Sequence, residues 1–121
     1  MNKLVIALFA LGNMLITVPA LADEVTTQSL AKATGELGEV HNALESAYEQ
    51  LAKKLKGVET AVLQEAQKQW AAYRTRNCEL ESARFKNRPR MERAVFNDCI
   101  VRVTKARTRE LVSQFDDRKD D

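Results

Sequence analysis

Residues 66–111 read AQKQWAAYRTRNCELESARFKNRPRMERAVFNDCIVRVTKARTREL, and their reading decides the fold. Lys86-Asn87-Arg88-Pro89-Arg90 is a turn, because Pro89 lacks an amide donor and restricts Arg88. Before the turn the spacing predicts a helix over about 59–85. Leu63, Ala66, Trp70, Tyr73 and Asn77 form its stripe, with Cys78 beside it. After the turn a further helix is expected over about 90–115. Val95, Cys99, Val103 and Leu111 line one side, with Phe96 and Ile100 adjacent. The β-branched run Ile100 to Thr104 would suit a strand, but its flanks are helix-forming and no partner strand is visible.

Upstream, Leu37, Val40, Leu44, Tyr48, Leu51 and Leu55 recur at gaps of three and four, the period of one helix face. Lys53, Lys54 and Lys56 followed by Gly57 mark the end of that first helix. Asp23 to Ser29 reads as a short polar lead. Gly35 and Gly38 each cost roughly 1 kcal/mol relative to Ala, so the helix is expected to start late, near Glu36.

Residues 1–22, MNKLVIALFALGNMLITVPALA, read as a secretory signal. Lys3 provides the positive start and Leu4 to Val18 an apolar run. Pro19 breaks the run, and Ala20-Leu21-Ala22 places cleavage after Ala22. The run is shorter than the ~20 residues of a membrane span. The product is expected to be periplasmic or secreted, soluble and without a transmembrane span. The part from Asp23 onward has 99 residues, enough for one domain over 23–115. Residues 116–121 are expected to be a disordered acidic tail. So few residues disfavour a dinucleotide-binding fold or a barrel, and scarce Gly and Pro disfavour a sandwich.

Two cysteines in an exported small domain point to a disulfide. Cys78 lies seven residues before the expected end of its helix, and Cys99 nine residues after the start of the next. Both therefore sit roughly 10–14 Å from the tip of an antiparallel hairpin. A Cys78–Cys99 bridge sets the register, pairing Tyr73 or Arg74 with Val103 or Thr104, and Trp70 with Arg107. The Arg107 guanidinium is expected on the Trp70 ring, in a contact worth about 0.5–2 kcal/mol. The fold class is all-α, an antiparallel three-helix bundle with one disulfide between its second and third helices.

No chemistry of catalysis stands out. His41 is the single histidine, no glycine-rich phosphate loop is present, and the cysteines are committed to each other. Glu79 and Glu81 are close in sequence but do not share a helix face. The expectation is a non-enzymatic protein without metal or cofactor.

Charge is more informative. Residues 23–67 hold 4 basic and 8 acidic side chains, whereas residues 84–109 hold 9 basic and 2 acidic. Two candidate partner-binding patches follow. Arg84, Lys86, Arg88, Arg90 and Arg93 crowd the hairpin tip, where a solvated end competes with an anion-binding surface for envelope components. Glu36, Glu39, Glu45 and Glu49 form the acidic alternative on the first helix. Nucleic acid is not an expected partner, since Phe85 is the one aromatic among these cations. Oligomeric state is not legible.

The run Ala66-Gln67-Lys68-Gln69-Trp70-Ala71-Ala72-Tyr73-Arg74, then Cys78, then Cys99, Thr104, Arg107 and Leu111, resembles the LprI-like N-terminal domain family of small exported bacterial proteins. Tyr48 and Leu51 match a tyrosine and leucine on that family's preceding helix. The resemblance spans about Leu44 to Leu111. It implies a helical, disulfide-stapled binding domain, and lysozyme inhibition after the family's namesake, a surface lipoprotein. It also implies structural roles first for Trp70, Tyr73, Arg74, Thr104 and Arg107. Two departures stand out: an upstream cysteine pair carried by many members is missing, and so is a lipid-acceptor cysteine. Common lysozymes are basic, so an electrostatically steered inhibitor presents acid, and the Glu patch fits that better than the basic tip.

Overall fold

A computed structural model describes the backbone of residues 19–118 and the side chains of Lys32 and of residues 35–118. The leader up to Val18 and residues 119–121 lie outside the described residues. Three α-helices follow one another: α1 (Pro19–Lys54), α2 (Val58–Ser82) and α3 (Pro89–Asp116). A 3-10 turn, Ala83–Phe85, extends α2 toward the Pro89 turn. No strand occurs among the described residues, so the β-branched run 100–104 is helical.

The breakers act where expected. Pro89 opens α3 at its first turn, where no amide donor is needed. Gly57, between α1 and α2, has φ 58°, a conformation that favours glycine. The late start predicted for the first helix is corrected. α1 is helical from Pro19, through the polar lead, Gly35 and Gly38. Each glycine weakens a helix without ending it, and the Leu-Ala-Lys-Ala run at 30–33 is strongly helix-forming. The expected cleavage point after Ala22 falls within this helix.

α3 is the element against which both other helices pack. Leu44, Ala47, Leu51 and Leu55 of α1, Leu63 of α2 and Leu111 of α3 form the buried apolar cluster, with Tyr48, Ala52, Trp70 and Phe115 packed against it. The Lys54 ammonium sits 4.7 Å from the Phe115 ring centre, and Lys105 Nζ lies 3.5 Å from Glu36 Oε2. Rising positions on α1 thus meet rising positions on α3, and the two run parallel.

α2 contributes little to the apolar core. Its buried residues are Leu63, Cys78 and Ser82. It is fastened to α3 mainly by polar and covalent contacts. Cys78 and Cys99 form a disulfide with Cα atoms 5.5 Å apart. Arg74 Nη1 donates to Thr104 Oγ1 at 3.2 Å, and Arg107 Nε to Gln67 Oε1 at 3.1 Å. Rising positions on α2 meet falling positions on α3, which is the antiparallel sense.

The expected stripes are rotated. Tyr73 is exposed and Ala66 with it, while Gln67, Arg74 and Cys78 turn toward α3. On α3 the buried residues are Ala94, Cys99, Val101, Thr104 and Leu111, and Val95 and Val103 are only half-buried. The disulfide and the Arg74–Thr104 bond set this rotation. One residue is 100° on a helix, enough to exchange Tyr73 for Arg74. At the far end, Asp116 closes α3, and Arg118 is held by Gln114 O at 3.1 Å and by Glu59 at 3.6 Å. Residues 116–118 of the expected tail are therefore placed.

Candidate functional site: a groove between the first two helices

Because both α1 and α2 lean on α3, a groove of about 400 Å³ opens between them. His41, Leu44, Glu45, Tyr48 and Glu49 line it from α1, and Gln67, Trp70, Ala71 and Arg74 from α2. Glu45 and Glu49, one helical turn apart, are both exposed at its edge. Glu45 Oε1 lies 3.7 Å from His41 Nε2. Glu49 has no ion pair among the described residues. The site thus combines two solvent-facing carboxylates with the rings of Tyr48 and Trp70, a chemistry suited to a cationic side chain arriving from outside.

The floor is rigid. The Arg74 guanidinium lies over the Trp70 ring, 4.8 Å from its centre, and Arg107 reaches the same ring at 6.0 Å. Arg107 also donates from Nη1 to Glu110 Oε2 at 3.0 Å. Burial pulls the Arg74 guanidinium below its ordinary pKa. Its Nε is buried with no acceptor, so Thr104, itself buried, is the acceptor that holds this cation in place. Thr104→Val is expected to leave a second buried donor unmatched. It should destabilise the protein by about 1–3 kcal/mol, read as a lower urea midpoint. Thr104→Ser, which keeps the hydroxyl, should recover most of the hydrogen-bond loss.

The structure brings together only part of the acidic patch. Glu45 and Glu49 share the groove, while Glu36 turns toward α3 and pairs with Lys105. Glu39 is exposed and does not line the groove. The helical period separates them, since Glu36 and Glu39 point well over 90° from Glu45. The basic patch is also divided. Arg84, Lys86, Arg88, Arg90 and Arg93 are all exposed. Arg84 covers the Phe85 ring at 4.8 Å and edges a concavity shared with Lys32, Glu36 and Glu81, whereas Arg93 edges another with Glu79, Glu92 and Phe96. The structural-motif residues Trp70, Arg74, Thr104 and Arg107 meet around the Trp70 ring, and Tyr73 stays outside that assembly. His41, Tyr48 and Gln67 join the groove without having been singled out for it. His41, Leu44 and Tyr48 recur at three and four, and Tyr48 and Gln67 belong to the residues that carry the family resemblance.

No group of three or more potential metal ligands occurs among the described residues. No helix among them is long and apolar enough to cross a membrane. In comparison with protein families, the one described as "Lysozyme inhibitor LprI" matches residues 20–111. No curated protein and no solved structure matches the chain.

Proposed function

The chain belongs to the lysozyme inhibitor LprI family, and from that premise we propose that it is an exported, non-enzymatic protein that binds and inhibits lysozyme through the α1–α2 groove. The observation that carries the site is the pairing of Glu45 and Glu49 with the Tyr48 and Trp70 rings at one solvent-open edge. A basic enzyme is attracted by the carboxylates, and its arginine or lysine stems find aromatic surface beneath them. Export is supported by the leader pattern of residues 1–22, with cleavage after Ala22. The family's inhibitory character supports a role without catalysis, cofactor or metal.

Charge reversal tests the site. Glu45→Lys with Glu49→Lys is expected to weaken lysozyme inhibition by about tenfold or more, equivalent to ~1.4 kcal/mol or more of binding. Arg88→Glu with Arg90→Glu should leave inhibition within about twofold, a change under ~0.5 kcal/mol. Both pairs are exposed, so far-UV circular dichroism should stay unchanged. Loss of inhibition in the arginine variant instead would move the site to the hairpin tip.

A second reading rests on the gathering of five exposed cations, Arg84, Lys86, Arg88, Arg90 and Arg93, around one turn. On this reading the tip holds an anionic envelope component. Salt-sensitive retention on a polyanion, lost in Arg88→Glu with Arg90→Glu, would favour it.

A further inference from the structure

Among the described residues, four of the five large apolar side chains left exposed lie on α2: Val58 (79%), Val62 (60%), Tyr73 (59%) and Leu80 (78%). Three of them fall on one seam. Val62, Ala66, Gln69, Tyr73, Arg76 and Leu80 alternate at spacings of four and three, and all six are exposed. This is the periodicity of a helix that packs along a second helix, and the seam is about 27 Å long at 1.5 Å per residue. Its Tyr73, Arg76 and Leu80 positions point away from Leu63, Arg74 and Cys78, whereas its Val62 and Ala66 end borders a concavity lined also by Leu55 of α1 and Arg107, Gln114 and Arg118 of α3.

We propose that this seam joins two copies of the chain as an antiparallel pair of α2 helices. The argument for a second copy is self-complementarity. A two-fold axis between positions 71 of the two chains brings Val62 opposite Leu80, Ala66 opposite Arg76 and Gln69 opposite Tyr73. Each small or medium residue meets a long one, and each layer pairs the two kinds of seam position as antiparallel helices do. Charge agrees with the same register. Glu65 comes level with Asn77 of the other copy, one residue or about 1.5 Å along the axis from Arg76, within reach of that long side chain, and the contact occurs twice. Within one chain, Gln69 Nε2 donates to Glu65 Oε1 at 2.8 Å, and Arg76 Nη1 lies 2.9 Å from Glu79 Oε2. Arg76 would then sit between its own Glu79 and the facing Glu65. The groove edge formed by Glu45 and Glu49 lies on α1 and is not used, so the dimer is independent of the lysozyme reading.

Sedimentation velocity of the purified, disulfide-intact protein tests this. A single-helix interface is small, so the dimer is expected to form between about 1 and 300 µM. Tyr73→Glu with Leu80→Glu should stay monomeric over that range with an unchanged circular dichroism spectrum. Glu65→Arg should weaken the dimer by about tenfold, and adding Arg76→Glu should restore it to within about threefold. A monomer at every concentration overturns the proposal. So does a dimer that survives the Tyr73 and Leu80 substitutions, or one that the charge swap fails to restore. If the seam substitutions instead abolish lysozyme binding by a monomeric protein, the face belongs to that partner and the dimer is refuted.

Discussion

Replacing both Cys78 and Cys99 with Ser is expected to lower stability by about 3 kcal/mol. The two residues are 21 apart in sequence, and closing a loop of that size removes roughly this much chain entropy from the unfolded state. A domain of this size has a net stability near the low end of ~5–15 kcal/mol, so the loss is a large fraction of the total. At about 4–8 °C per kcal/mol, the melting temperature should fall by roughly 12–24 °C. The effect should be this large because α2 has so little else to hold it. Leu63 is the one buried aliphatic side chain of that helix. The remaining fastenings to α3 are polar bonds such as Arg74–Thr104 and the exposed Arg102–Glu81 pair at 2.7 Å, and exposed pairs contribute about 0–1 kcal/mol. Thermal unfolding followed by circular dichroism checks this. Reductant should bring the wild type close to the Ser variant. A difference under about 1 kcal/mol would mean that α2 docks well without its bridge.

Leu111→Ala is expected to cost about 3 kcal/mol, within the ~2–5 kcal/mol span for buried leucines. Leu111 is fully buried and belongs to the cluster that joins α3 to Leu44, Leu51 and Leu55 of α1 and to Leu63 of α2. Trimming it leaves a cavity where all three helices meet, with few neighbours free to collapse inward. The adjacent Val112 is 44% exposed, and Val112→Ala should change stability by no more than about 0.5 kcal/mol. Urea unfolding separates the two. The midpoint should shift strongly for Leu111→Ala and barely for Val112→Ala, with similar slopes.

Much of the fold was legible because its punctuation is chemical. Pro89 and Gly57 mark the two connections, and seven- and nine-residue distances from the tip put Cys78 and Cys99 level. The rotation of α2 was not legible. Tyr73 is the more apolar choice for a buried stripe, yet Arg74 turns inward because Thr104 offers it an acceptor and Trp70 a ring. The disulfide register had left Tyr73 or Arg74 level with Val103 or Thr104, and periodicity within α2 could not choose between them. The start of α1 was hidden for a similar reason. Glycine costs are additive penalties, and whether a helix bears them depends on contacts such as Glu36 with Lys105.

The candidate site was half legible. Four glutamates on one helix read as one acidic face, but the 100° step separates Glu45 and Glu49 from Glu36 and Glu39. The aromatic floor was invisible in the sequence, since it requires α1 and α2 to lean on α3 rather than close on each other. The charges gather into a pair of carboxylates on the groove that Trp70 lines and, at the hairpin end of α2, a set of exposed basic side chains.

Titrating the purified protein against lysozyme acting on bacterial cell walls tests the central claim most directly. Inhibition that saturates at micromolar protein, and that weakens when Glu45 and Glu49 are reversed to Lys, is the predicted result. Undiminished lysis at a micromolar excess of folded, disulfide-intact protein would contradict it.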